Sequence, residues 1–179
     1  MTTPNPAVYY VIGVIVVIAI IIAIMLLARR QRSARLQQRF GPEYDRTARE
    51  YGDRTKAERE LAEREARVRE FHLQELPAGA RERYTDEWNE IQKRFVDEPK
   101  EALAQSDALL TNVMRDRGYP TADFDQRAAD LSPDHASVVQ NYRLGHEISE
   151  RSESGDASTE DLRQAMLHYR ALFTELVGS

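Results

Sequence analysis

The hydrophobic positions are concentrated in one unbroken run near the start of the chain. Val8 to Ala28 are 21 consecutive residues without a charged side chain, Asn, Gln or Pro. As a helix this run is about 31 Å long, which matches the roughly 30 Å hydrocarbon core of a bilayer. Helix is expected despite the many Ile and Val residues, because in lipid every backbone group must find its partner within the segment. The pattern predicts a transmembrane helix over residues 8–28, preceded by a short extracytoplasmic tail, residues 1–7.

A cleaved signal peptide is the competing interpretation of this run. Such a peptide has a basic start, an apolar core of about 7–15 residues and a small-x-small cleavage site. Here the residues before Val8 have no charged side chain, the apolar run is longer, and no Ala-x-Ala follows it. An uncleaved signal-anchor is therefore expected.

Basic residues follow the apolar run directly and form what we term the basic collar: Arg29, Arg30, Arg32, Arg35 and Arg39. Positive residues stay on the cytoplasmic side of a span, so the collar predicts a cytoplasmic C-terminal part and an N-terminus outside. Two roles are open for the collar. It is a topology signal, or it also binds anionic lipid head groups.

A charged segment comes next. The basic juxtamembrane segment, residues 29–41, ends at a Gly-Pro pair, and residues 42–72 are dominated by Glu, Arg and Ala. Acid-to-base pairs four residues apart support a helix here: Asp45/Arg49, Glu50/Arg54, Glu60/Arg64, Glu63/Arg67 and Glu65/Arg69. Apolar residues are too sparse for clean heptads. The segment is predicted to be a stalk helix, either solvated and alone or in a weak coiled coil, with Gly52 as a possible kink.

Amphipathic patterns begin after the stalk. Tyr84, Trp88, Ile91 and Phe95 are spaced to share one helix face. Further helix starts are predicted at Pro99, at Ser132-Pro133 and at Ser158, with a short helix near residues 122–131. No window alternates with period two, so no sheet is expected. The fold class predicted is all-α, with residues 73–179 forming a bundle of four main helices plus one short helix.

The charge distribution restricts the possible functions. All 25 Lys and Arg and all 30 Asp and Glu lie at or beyond Arg29, which excludes a plain cytosolic enzyme and a multi-span transporter. All the acidic residues follow Pro42, so no nucleic-acid partner is expected. The absence of Cys excludes a disulfide scaffold, a thiolate metal site and a Cys nucleophile.

No catalytic, cofactor-binding or metal-binding residues are predicted. The glycines form neither a phosphate-binding loop nor a nucleophile elbow, and the four His residues lack the spacing of known metal motifs. A non-enzymatic protein is expected. The enzyme alternative requires a polar pocket that gathers several of these side chains: Tyr142, His146, His168 and Tyr169.

A candidate partner surface lies around the turn between residues 115 and 135. It contains side chains that often anchor protein interfaces or flank such anchors: Arg115, Arg117, Tyr119, Asp123, Asp125 and Arg127. The alternative is that Tyr119 and Pro120 fill the end of the bundle while the charges solvate it.

Four runs resemble an uncharacterised family of bacterial single-pass membrane proteins: RFGPEYDR, VMRDRGYP, FDQRAADLSPDH and STEDLRQAMLHYRALF. The resemblance covers nearly the whole chain after Arg29 and implies no activity, cofactor or catalytic residue. The expected protein is thus a scaffolding or interaction module of the inner membrane. Its expected partners are membrane lipid and either an unknown protein or a second copy of itself. An envelope or anionic-lipid-associated structural role is the alternative.

Overall fold

A computed structural model describes residues 6–178, and within this range the chain is helical with no strand. The eight helices are α1 (Pro6–Phe40), α2 (Pro42–Tyr51), α3 (Arg54–Val68), α4 (Ala80–Arg94), α5 (Pro99–Asp116), α6 (Phe124–Leu131), α7 (Ala136–Glu153) and α8 (Thr159–Gly178). The predicted all-α class is confirmed, including one long apolar helix at the N-terminus.

Helix α1 continues without a break from the apolar run into the folded domain. Its apolar part is bare, and by length and composition it is the one helix among the described residues suited to crossing a membrane. Its last two turns behave differently, since Leu36 and Phe40 are buried. They form a small core with Tyr44 of α2 and Leu61 of α3. The end of α1 is therefore part of the domain.

The charged segment forms two helices, which differs from the single stalk helix expected over residues 42–72. Gly52 adopts a left-handed conformation (φ 60°) that ends α2. Asp53 then begins α3, because its carboxylate accepts a hydrogen bond from the Lys56 backbone N–H at 2.9 Å. The α2–α3 hairpin packs against the end of α1 and against α6 and α7. Within residues 6–178 it is neither a lone solvated helix nor a coiled coil.

The bundle consists of α4, α5, α7 and α8 with α6 as the short helix, as predicted. The most extensive helix contact joins α7 to α8, and α5 packs on both. Tyr84, Trp88 and Ile91 are buried along one face of α4. The Trp88 ring stacks on Phe173 of α8 with 4.7 Å between centroids. One apolar core thus connects all four main helices.

The start of α7 differs from the prediction that Ser132 is its N-cap and Pro133 its first residue. The backbone N–H of His135 donates to the carbonyl of Leu131 at 2.9 Å, so the chain makes another turn before the helix begins. Ser132 is instead the C-cap of α6. The predicted cap of α8 is confirmed, because Ser158 and Asp161 each accept a hydrogen bond from the other's backbone N–H.

Candidate functional site

A buried ion-pair network joins the α2–α3 hairpin to the bundle, and we term it the junction. At its centre is Glu43 of α2, which is 2% exposed. One carboxylate oxygen accepts from Arg64 of α3 at 3.1 Å and from Arg143 of α7 at 3.0 Å. The other oxygen accepts from Arg46 at 3.1 Å. A single carboxylate therefore holds three guanidinium groups from three helices.

The charge of Glu43 is maintained by these partners. Burial by itself raises the pKa of a carboxyl group, but Arg143 and Arg46 outweigh it and lower the Glu43 pKa below its usual value of 4.5. The group is therefore ionised throughout the physiological range. Buried ion pairs contribute more to a defined arrangement than to net stability. The junction therefore acts as a fixed connection between α2, α3 and α7.

Two further ion pairs cross the same boundary. Arg67 of α3 donates at 2.9 Å to Asp130 of α6, whose side chain is almost fully buried. Arg39 of α1 binds Glu65 at 2.9 Å and Asp134 at 3.0 Å, and it also donates to the carbonyl of Pro133. Each of α1, α2 and α3 is thus tied by charge to the α6–α7 region. Helix α1 therefore has a defined orientation relative to the bundle.

The five residues of the basic collar fall into two groups. Arg35 and Arg39 both bind the carboxylate of Glu65, so they are structural parts of the domain. Arg29, Arg30 and Arg32 are exposed, and they make no ion pair with any residue that the structure describes. These three residues remain available to lipid.

The residues of the predicted partner surface between 115 and 135 are partly buried and partly exposed. Tyr119 is 4% exposed, and burial raises its pKa to about 12. Arg117 donates to the carbonyl of Leu176 at 2.7 Å, and Arg127 to the Tyr142 hydroxyl at 3.0 Å. Arg115, Asp123 and Asp125 remain exposed. Of the two interpretations of this segment, the burial of Tyr119 fits the one in which it fills the end of the bundle and does not fit an exposed anchor.

Tyr142 and Tyr169 are core residues too, with ring centroids 6.1 Å apart. Both are fully buried. Burial, and next the nearby Asp107, raise the pKa of each phenol far above its ordinary value. These hydroxyls stay protonated at neutral pH and are closed off from solvent.

An open cavity of about 360 Å³ lies between the start of α6 and α7, and most of the side chains at its wall are charged. His146 lies at its wall, where its ring stacks on Phe124 with 3.5 Å between centroids. Tyr142, His168 and Tyr169 do not line this cavity. The side chains named for the enzyme alternative are therefore not gathered in it. Among the described residues, no group of His, Asp and Glu is arranged to hold a metal ion.

Comparisons of the chain with protein-family models, with curated proteins and with solved structures gave no match. The family resemblance of the four sequence runs stays a prediction, as does the non-enzymatic role. What the protein does is inferred from its own geometry.

A second cavity marks an apolar groove between α4 and α8. It has a volume of about 150 Å³. We term it the α4–α8 groove, defined by Gln92, Phe95, Arg163, Met166, Leu167 and Arg170. Leu167 is 37% exposed at its edge, and Val96, which follows Phe95 in the chain, is 82% exposed. Sequence reasoning missed this groove, because Phe95 belongs to the core stripe of α4 by spacing and Leu167 lies off the core face of α8.

Proposed function

We propose that this protein is a single-pass membrane-anchored scaffold whose helical bundle faces the cytoplasm and binds another protein, without catalysis. One observation carries the proposal: α1 runs from a bare apolar stretch directly into the buried residues Leu36 and Phe40. An anchor built in this way holds the bundle against the membrane surface in one orientation.

The exposure of α1 supports the anchor. From Ile12 to Leu27 its large apolar side chains are 50–60% exposed. Soluble proteins rarely leave a contiguous apolar surface of that extent uncovered. Lipid is the cover that fits a helix that is apolar on all sides.

The orientation follows from the collar. Five Arg residues follow the span, whereas no charged side chain precedes it. Positive residues near a span stay in the cytoplasm, which places the bundle there and the N-terminal tail outside. The membrane concerned is then the inner membrane of a bacterial cell, in agreement with the family resemblance.

The topology can be tested with single cysteines, because the natural chain contains none. In spheroplasts we expect a membrane-impermeant maleimide to label Thr3→Cys at once. Ser137→Cys, at an exposed position of α7, should be labelled only after lysis. The unsubstituted chain is the control for background labelling. The reverse pattern would contradict the orientation, and recovery of the chain in the soluble fraction would contradict the anchor.

The α4–α8 groove supports the binding role. It combines the exposed side chain of Leu167 with Arg170, whose guanidinium makes no ion pair within residues 6–178. An interface of this kind needs an apolar anchor and a polar rim. The occupant that fits is a segment of another protein that carries an apolar side chain and a carboxylate.

Crosslinking in cells tests the groove as the binding site. A photo-crosslinking residue at position 167 should give a discrete adduct with one partner protein, and Arg170→Glu should remove it by charge repulsion. The matched control is Leu144 of α7, which is also 37% exposed but lies outside the groove. Equal adducts from both positions would contradict the proposal. Adducts only with further copies of this chain would assign the groove to self-association instead.

A further inference from the structure

Basic side chains without a hydrogen bond or ion pair gather at the membrane-facing end of the domain, where Lys56 and Arg59 interact only through space with Asp53. Most Lys and Arg side chains bind a carboxylate, a carbonyl or another polar group. The exceptions among the described residues are Arg29, Arg30, Arg32, Arg49, Lys56, Arg59 and Arg170. Five of these lie either just after the apolar run or in the first two turns of α3. Positive charge without an ion pair is thus concentrated at the end of the domain that adjoins the apolar run.

Contacts between α1 and α3 bring those two regions together. Ser33 of α1 donates to Glu58 at 2.6 Å. Arg39 and Glu65, which lie six and seven residues further along α1 and α3, are also paired. Helix α3 therefore runs alongside α1 in the same direction, away from the membrane. Its N-terminal turn lies next to the first residues after the span.

The result is a cavity of about 290 Å³, which we term the collar cavity. Its walls are Arg29, Arg32, Thr55, Glu58 and Arg59. Glu58 is the single acid, and its Oε1 atom is occupied by the hydroxyl groups of Ser33 and Tyr44. Three guanidinium groups against one carboxylate leave the cavity with a positive charge.

The collar cavity lies at the depth of the lipid head groups. Arg32 is four residues beyond Ala28, about 6 Å along the helix. The head-group layer on each side of a bilayer is about 5–8 Å thick. The tip of the α2–α3 hairpin is on the same side, with Tyr51 41% exposed next to the turn. Tyr is enriched at this depth because its ring is apolar and its hydroxyl is polar.

We propose that the collar cavity binds the phosphate of an anionic phospholipid in the leaflet where the span ends. Guanidinium groups suit this ligand, because their parallel N–H groups match the oxygens of a phosphate. Arg29 and Arg32 are three residues apart and share a helix face, while Arg59 and Thr55 approach from α3. The ligand lies between anchor and domain and fastens one to the other. This inference rests on the proposed function, since it requires α1 to span a membrane.

Lipid binding to the full-length protein in detergent micelles tests the proposal. Native mass spectrometry would compare dioleoyl-phosphatidylglycerol with dioleoyl-phosphatidylcholine as probes. We expect a preference for phosphatidylglycerol, and Arg32→Gln and Arg59→Gln should each weaken its binding more than about tenfold, because each removes a charge-assisted hydrogen bond to the phosphate. Arg30→Gln and Arg49→Gln are the matched controls, because both residues are exposed and unpaired but do not line the cavity. Their effect should stay below about fivefold, since only diffuse attraction is lost.

Several outcomes would overturn the site. Equal losses from Arg30→Gln and Arg59→Gln would mean diffuse attraction by the collar. Equal binding of the two lipids would exclude a phosphate site for anionic lipid, and displacement of the lipid by dilute glycerol 3-phosphate would assign the cavity to a soluble ligand. Unchanged Trp88 emission would show that each variant is folded. Extraction from membranes at alkaline pH reports on the anchor alone, so failure of the proposed function is seen separately.

Discussion

Replacing Glu43 with glutamine is expected to weaken the docking of the α2–α3 hairpin on the bundle by about 3–5 kcal/mol. The substitution keeps the shape of the side chain but removes the charge that faces Arg64 and Arg143. Arg64 is 4% exposed, so its guanidinium would be left buried without its central partner. Arg64 would keep only its pair with Glu60, and a buried charge that loses its central partner is far more costly than the loss of a surface ion pair.

Hydrogen exchange of the full-length protein in micelles measures this effect where it occurs. Backbone amides of α2 and α3 should exchange more than a hundredfold faster in the variant, since each 1.4 kcal/mol corresponds to a factor of ten. Glu50→Gln is the control, because Glu50 also binds Arg46 but is 53% exposed. It should change exchange by less than about fivefold. Equal exchange in the two variants would contradict the role given to the junction.

Replacing Gly145 with alanine is expected to destabilise the bundle by about 2 kcal/mol. Two effects oppose each other: alanine gains about 1 kcal/mol in helix propensity, while overpacking at so short a contact costs about 3 kcal/mol, the upper end of its usual range. Overpacking wins because a Cβ atom at this position would lie 2.6 Å from a ring carbon of Tyr169. Tyr169 is fully buried and cannot move aside. Helices α7 and α8 must therefore separate.

Urea unfolding followed by Trp88 fluorescence checks this result, since Trp88 stacks on Phe173 of α8. Gly178→Ala provides the control, because nothing lies within 4 Å of a Cβ atom added there. Its stability should stay within about 0.5 kcal/mol of the natural chain. A Gly145→Ala variant as stable as this control would mean that α7 and α8 tolerate a wider spacing.

Helix boundaries were predictable wherever a residue with a special backbone preference marks them. Pro42 and Pro99 begin helices as expected, and Ser158 caps the last one. Gly118 follows the end of α5 in a left-handed conformation, with a φ of 90°. The turn at Ser132-Pro133 was misassigned, because the hydrogen bond from His135 to Leu131 depends on tertiary packing that local sequence does not contain.

Charge pairing was predictable only in part. Of the pairs four residues apart, Glu60 and Arg64 do meet at 2.9 Å. Arg67, however, binds Asp130, which is 63 residues away in sequence. Glu43 and Arg143 are 100 residues apart. In a segment with so many acids and bases, sequence spacing identifies possible neighbours but not those that become buried.

For uncharged side chains, too, the residue type alone does not predict whether the side chain is buried or exposed. Tyr119 has the residue type of an interface anchor, but large aromatic side chains are also what fills a core. Only its burial at 4% exposure decides between the two. Leu167 is the reverse case, an ordinary leucine whose importance comes from the groove beside it.

In the proposed topology, α1 connects the membrane span to the bundle as one continuous helix. Each residue of an α-helix turns the chain by about 100°, because a turn contains 3.6 residues. A second membrane helix would contact one face of the span. The choice of that face would determine the direction, in the plane of the membrane, in which the α4–α8 groove opens. A change of tilt in the bilayer would likewise swing the whole bundle, since no flexible joint separates Ala28 from Phe40. In the proposed topology, α1 therefore determines the orientation of the bundle as well as its location at the membrane.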